Sequence, residues 1–319
     1  MKIAPTQGFI GTSSGGHGTS ILEAVPHGGH VLVIRLRSLG DCVLTTPALH
    51  LLKQFRPDLH IGIVVEKRFR DVYAGNPDID SLVPSEARAV RQFEPDLCLN
   101  LHGGTRSATL TATCGARWRA GFAHFHHSYV YNVRIPTAQE ILKLNRTVHT
   151  CEHVASAVFY LGVPMSEVPR ARLYADSTPA GQYAVIHPVA SQPDKTWPAD
   201  RFLAVAAHLK NHLDLEPVFI GSHADDLSPF ASFRTLRGAP LSAVKSLLRH
   251  AMLFVGNDSG PAHMAAAFGV PVIVLFGSSD PLIWGPWQTV SEILTHSDGI
   301  SAVPIEAVTA AVGRLRVLV

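Results

Sequence analysis

From His30 onward the chain alternates between short apolar runs and longer stretches with helical periodicity. Val31 to Leu36 is near-continuously apolar and predicts a buried strand, while Val43 to Phe55 repeats its apolar positions at three- and four-residue intervals and predicts a helix. The same rhythm predicts strand Ile61 to Val65, a short helix Phe69 to Ala74, and the short strand Leu82-Val83 followed by another short helix. Strand Asp96 to Leu101, helix Arg106 to Cys114 and strand Arg119 to Phe122 come next, and a long loop leads to a helix from His149 to Leu161. Strands this apolar are covered on both faces, so the series predicts a parallel sheet flanked by helices.

The pattern loosens between Val163 and Pro179, where Pro164, Pro169 and Pro179 stand among polar residues, as in an interdomain linker. A second series then begins with strand Tyr183 to His187, helix Ala199 to Leu213 and strand Pro217 to Ile220. A helix near Asp225 to Phe233, strand Thr235-Leu236, helix Leu241 to His250, strand Met252 to Val255, helix Pro261 to Phe268, strand Val270 to Phe276 and a closing helix Ile305 to Leu315 complete it. The expected division is a disordered leader over 1–29, a first α/β domain over 30–175 and a second over 176–319. Two parallel-sheet domains in series place the carboxyl edges of both sheets, and any ligand, in the cleft between them.

Composition narrows the classes of function. Lys and Arg number 27 against 25 Asp and Glu in 319 residues, so no strong field points to nucleic acid. No apolar run approaches the roughly 20 residues of a membrane span. Residues 1–29 lack the charged-then-apolar order of a secretory signal, and Thr12 to Ser20 resembles a phosphate loop only superficially because it precedes the first strand. Cys42, Cys98, Cys114 and Cys151 show no CxxC spacing, so they read as buried thiols of a reducing cytoplasm.

The chemistry concentrates at strand ends. In GNDSGPAHMAAAFGVPVIVLFG (256–277) an apolar run meets the turn Asp258-Ser259-Gly260 and then a small-residue helix. Free N–H groups and the helix dipole at such a turn favour a phosphate. His263, four residues after Ser259, faces the same side. The turn after strand one, Arg35 to Asp41, brings Ser38, Gly40 and Asp41 to a helix start. There Asp41 is either an N-cap or a general base facing the cleft, and the two roles are compatible. In His187 to Pro198 a polar loop carries Ser191 and Lys195, a hydroxyl and a flexible point charge suited to phosphate oxygens.

Other candidates carry less. Asp78-Ile79-Asp80 is a DxD in a proline-containing surface turn, and His124, His126 and His127 have no carboxylate or cysteine at ligand spacing, so no metal site is expected. Leu101-His102-Gly103-Gly104 sits where a strand meets a helix, and its glycines suit close approach of a substrate. Trp284-Gly285-Pro286-Trp287 suits either packing on a base or sugar, or a rigid loop over the sheet edge.

Four segments in order, IRLRSLGDCVLTTPAL (34–49), LHGGTRSATL (101–110), HPVASQPDKTWP (187–198) and GNDSGPAHMAAAFGVPVIVLFGSSDP (256–281), resemble the family 9 glycosyltransferases, the group of the ADP-heptose:lipopolysaccharide heptosyltransferases. The resemblance runs from Val31 to the C-terminus. It implies a GT-B fold, two Rossmann-like doubly wound domains facing a central cleft, with the nucleotide-sugar held mainly by the second. It also implies inversion without an obligatory metal and without a cofactor. The partners it implies are an ADP-heptose-like nucleoside-diphosphate sugar and a glycan or lipid-linked acceptor. Localisation is then cytoplasmic, with at most peripheral contact at the inner face of the inner membrane.

By the same resemblance Asp41 falls on the proposed base and Lys195 on the phosphate-contacting lysine. Asp258, Ser259, Gly260 and His263 fall on the nucleotide-sugar turn. From the residues themselves, Ser191 is expected on the donor side and Ser38, Gly40, His102 and Gly103 on the acceptor side. The chain departs from the family where a glutamate holds the nucleoside: the loop here reads Gly221-Ser222-His223-Ala224-Asp225. Domain closure is expected to exclude water from the donor. A nucleotide-sugar epimerase or hydrolase on the same fold, and a non-catalytic sugar-nucleotide-binding protein, are the alternatives.

Overall fold

Each apolar run becomes a strand of one of two parallel sheets. The structure, a computed structural model, describes residues 20–176 and 181–316. The first sheet contains β1 (His30–Ile34), β2 (His60–Val64), β3 (Ser81–Val83), β4 (Leu97–Asn100), β5 (Trp118–Phe122) and β6 (Val133–Ile135), in the order β3-β2-β1-β4-β5-β6. The second contains β7 (Tyr183–His187), β8 (Glu216–Gly221), β9 (Arg234–Arg237), β10 (Leu253–Asn257), β11 (Val272–Leu275) and β12 (Ser291–Leu294), in the order β12-β11-β10-β7-β8-β9. Every neighbouring pair is parallel, with Val31 opposite Ile61 and Leu97 in one sheet and Val255 opposite Ile186 and Ile273 in the other. Both sheets reverse direction of winding beside their first strand, the topological switch point where doubly wound sheets bind ligands.

Three expectations need correction. The leader is not disordered up to Gly29: Ser20 opens a helical turn, Ile21–Ala24, in which Ser20 N–H donates to Glu23 Oε2 (2.9 Å) and Glu23 N–H to Ser20 Oγ (3.2 Å). Leu22 is fully buried in the first domain's core, and Arg56 clamps the carbonyls of Leu22 and Pro26, so this segment belongs to that domain. Residues 1–19 lie outside the described part. The long loop after β5 contains strand β6 and a helix, Ala138–Leu142, while β12 follows β11 beyond a short helix, Pro281–Trp284. Both unforeseen strands lie at sheet edges, where a few half-buried residues suffice and the apolar signal is weak. Conversely, Asp225 to Phe233 forms only a single tight turn at Ser228–Phe230 in place of the expected helix; Pro229 lies within it.

Two helix starts close the cleft at its base. A Cβ on Gly40 would lie 2.7 Å from His263 Cδ2, and one on Gly260 would lie 2.6 Å from Leu39 Cγ. The helices Leu39–Phe55 and Gly260–Phe268 therefore touch end to end across the domain boundary only because each carries a glycine there. Nearby, the buried Lys245 of helix Leu241–Arg249 donates to the carbonyls of Asp71 (2.6 Å) and Ala74 (3.1 Å) at the end of helix Arg70–Tyr73 in the other domain. Burial lowers its pKa, and the two carbonyls satisfy the ammonium where water is absent. All four cysteines are buried and free. No helix among the described residues is long and apolar enough to cross a membrane.

Candidate active site

Asp41 enters the cleft from the N-terminal domain at the third residue of its helix. Ser38, not Asp41, is the N-cap. The Asp41 carboxylate reaches back so that Oδ2 accepts from Ser38 N–H (3.1 Å) and Ser38 Oγ–H (2.9 Å), while Oδ1 faces Arg35 Nη1 at 3.3 Å. Arg35 is itself buried at the end of β1 and held by Thr45 Oγ1 (3.2 Å). The aspartate is thus fixed from three sides, yet 21% of its side chain stays accessible from the cleft. Capping geometry and exposure to the cleft coexist at this residue.

Across from it, Asp258 and Ser259 follow the end of β10. Ser259 is the N-cap of helix Gly260–Phe268, and its Oγ lies 3.1 Å from His187 Nδ1 at the end of β7. Asp258 accepts a 2.5 Å hydrogen bond from Ser279 Oγ, from the loop after β11, so its carboxylate is anchored within the protein. Lys195 ends a tight turn, Pro193–Lys195. That turn sits against Gly277: a Cβ there would collide with the Asp194 carbonyl oxygen. Among the described residues no carboxylate pairs with Lys195, which leaves its ammonium for a ligand.

These groups share one cavity of about 550 Å³, lined by Ser38, Gly40, Asp41, Ser191, Lys195, Asp258, Ser259, Gly260 and His263. Its walls also include His187 and Asp225, which were not expected as site residues, and Trp284, one of the two readings of whose loop was packing on a base or sugar. A second cavity of about 500 Å³ adjoins it, sharing Leu39, His187, Asp225 and Pro261. Its walls come from the loops after β8 and β9 (Ser222, His223, Gly238) and, from the other domain, Phe69 with Arg68 stacked 4.6 Å above its ring centroid.

Two residues expected on the acceptor side stand apart. His102 lies at the end of β4 near Arg35 and Arg37, and burial, followed by those two cations, lowers its pKa. Neither it nor Gly103 lines the main cavity. Gly103 has φ +74°, and the space a Cβ would take is filled by the Phe125 ring at 2.7 Å, so packing accounts for this glycine. The DxD carboxylates are occupied: Asp78 lies 3.1 Å from His50 Nδ1, and Asp80 pairs with Lys53 (2.9 Å) and Ile61 N–H (2.7 Å). Among the described residues no group of three or more His, Cys, Asp or Glu side chains is placed to hold a metal.

His187 and His263 are held neutral by burial. Burial drives His187 and His263 down to about 4, and Asp258 beside His263 only partly opposes it. Nδ1 of His263 is buried with no hydrogen-bond partner among the described residues. Because these folded-state values lie below the ordinary histidine value of 6.5, the unfolded chain takes up protons first as pH falls. Stability from these sites is therefore complete above about pH 6.5 and is lost as pH falls toward 4. The melting temperature should fall across that window, and His263→Gln should flatten part of the fall. An unchanged pH profile in a thermal melt of that variant would count against burial of a neutral His263.

The model of glycosyltransferase family 9 (heptosyltransferase) matches residues 84–302. The chain belongs to glycosyltransferase family 9. Lipopolysaccharide heptosyltransferase 3 of Escherichia coli K12 is 27% identical over 333 aligned positions, covering 88% of this chain and 96% of that protein. Among solved structures, a family 9 glycosyl transferase from Veillonella parvula superposes with a TM-score of 0.81 at 23% identity, covering 91% of this chain and 98% of the other. E. coli heptosyltransferase WaaC, solved with ADP-2-deoxy-2-fluoro heptose, superposes with a TM-score of 0.71 at 20% identity, covering 89% and 99%. The two six-stranded sheets are thus the two halves of a GT-B fold, and this family 9 member is a glycosyltransferase.

Proposed function

We propose that the chain moves a heptose-like sugar from an ADP-heptose-like donor to a glycan or glycolipid acceptor in lipopolysaccharide core assembly, by a single inverting displacement without a metal. The observation that carries this is the shared cavity: a carboxylate from one domain faces a free lysine and a helix start from the other. Asp41 takes the proton of the acceptor hydroxyl as that oxygen attacks the anomeric carbon. The bond to the diphosphate breaks, and the charge on the departing group meets Lys195, the N–H groups of Ser259 and Gly260, and the helix dipole. His187 and His263, neutral at physiological pH, add no charge of their own.

The adjoining cavity suits the nucleoside, with Asp225 placed to meet a ribose hydroxyl. Its carboxylate accepts from Ser222 N–H at 2.6 Å and lines both cavities, so one oxygen remains for a sugar hydroxyl. The relatives' heptosyltransferase names and the ADP-heptose analogue bound to WaaC support ADP-heptose as the first donor to test. The experiment is incubation with ADP-heptose and a heptose-deficient lipopolysaccharide acceptor, with and without EDTA. Transfer unaffected by chelation, with inverted anomeric configuration by NMR, is expected. Release of free heptose regardless of acceptor would make the protein a hydrolase, and binding without turnover would make it a non-catalytic receptor.

A further inference from the structure

The groups along the carboxyl edge of the second sheet follow its strand order. The adjoining cavity lies over β9 and β8, while His187 ends β7, Ser191 and Lys195 follow it, and Ser259 follows β10. A donor stretched along this edge places its nucleoside over β8 and β9 and its diphosphate between β7 and β10. The sugar then extends toward β11, where Asp258, Ser279 and Trp284 stand.

Trp284 belongs to the second domain's chain but is set by the first. On its N-terminal side the Ile283 carbonyl accepts from Thr150 Oγ1 (3.0 Å); on its C-terminal side the Gly285 carbonyl lies 2.9 Å from His149 Nε2. Cys151 N–H donates to His149 Nδ1 (3.1 Å), so the ring proton sits on Nε2 and points at Gly285. Trp287 stacks on the same imidazole, with ring centroids 4.5 Å apart at 22°, and its Nε1–H reaches the Pro169 carbonyl (3.1 Å). Burial lowers the pKa of His149, which keeps it a single donor facing a carbonyl.

We propose that Trp284 is the stacking wall for the transferred sugar and that His149 is the positioning residue that sets it there when the domains meet. The indole offers an apolar face to the C–H side of a pyranose, while Asp258 serves its hydroxyls. This rests on the reading of a nucleoside-diphosphate sugar as donor, so the test carries its own control. Isothermal titration compares ADP with ADP-heptose on the wild type, Trp284→Leu, Trp284→Phe and His149→Ala, each checked by thermal melt. The wild type should bind both ligands. Trp284→Leu should weaken ADP-heptose about tenfold and ADP less than about twofold, with Trp284→Phe restoring most of the difference. His149→Ala should show the same selective loss without touching the cavity. Equal weakening of both ligands, or of neither, in Trp284→Leu overturns the stacking role. An unchanged ratio in His149→Ala overturns the positioning role. A wild type that binds neither ligand removes the donor reading itself, and this inference with it.

Discussion

Asp41→Asn should lower turnover about 10³-fold while leaving ADP affinity within about twofold of the wild type. The amide is isosteric and can still accept from Ser38 N–H, so the start of helix Leu39–Phe55 should survive, as judged by an unchanged far-UV circular dichroism spectrum, while the melting temperature falls because Arg35 loses its partner. What it lacks is the ability to take a proton. The loss should appear in kcat with little change in KM for the donor, because Asp41 comes from the domain opposite the lysine and the Ser259 turn. Arg35 sharpens the expectation: with its carboxylate partner neutral, a buried guanidinium 3.3 Å away loses its counter-charge. Arg35→Lys should therefore weaken turnover through Asp41, and combining it with Asp41→Asn should cost little more than Asp41→Asn alone. Turnover of Asp41→Asn near that of the wild type would remove the base assignment.

Lys195→Ala should cost about 10²- to 10³-fold in kcat/KM, with a large part of it in donor binding. The ammonium meets charge already present on the bound diphosphate and charge that grows as the glycosidic bond breaks, so both KM and kcat should change. The effect should be smaller with ADP's monophosphate analogue AMP as the ligand in a binding assay, since fewer phosphate oxygens remain for the lysine to meet. Steady-state kinetics on ADP-heptose together with AMP and ADP titrations separate the two parts. An unchanged ADP affinity in Lys195→Ala would place the lysine elsewhere in the reaction.

The buried strands were legible because each is a nearly unbroken apolar run. Val31 to Ile34, Tyr183 to His187 and Leu253 to Asn257 sit at sheet centres, where burial on both faces leaves that signature. Val133–Ile135 and Ser291–Leu294 did not announce themselves, since an edge strand needs few apolar positions. The site divides the same way. Asp41, Lys195 and the Asp258–His263 turn sit at strand ends that local pattern locates. Arg35 behind Asp41, Ser279 behind Asp258 and the docking of Trp284 depend on contacts between distant segments, and no local periodicity records those. Asp41 shows the limit within a single turn: its place at a helix start was evident, but the choice of Ser38 as the cap was settled by which side chain folds back.

The meeting of Gly40 with His263 and of Gly260 with Leu39 has an evolutionary consequence. Each glycine makes room for a specific neighbour in the other domain, so the four positions are bound as two pairs, although they lie far apart in the chain. A lineage that acquires a side chain at position 40 must accept either a smaller residue at 263 or a wider seam. Among homologues these pairs should therefore change together, and a sequence that breaks one pair alone marks a protein whose two halves rest farther apart.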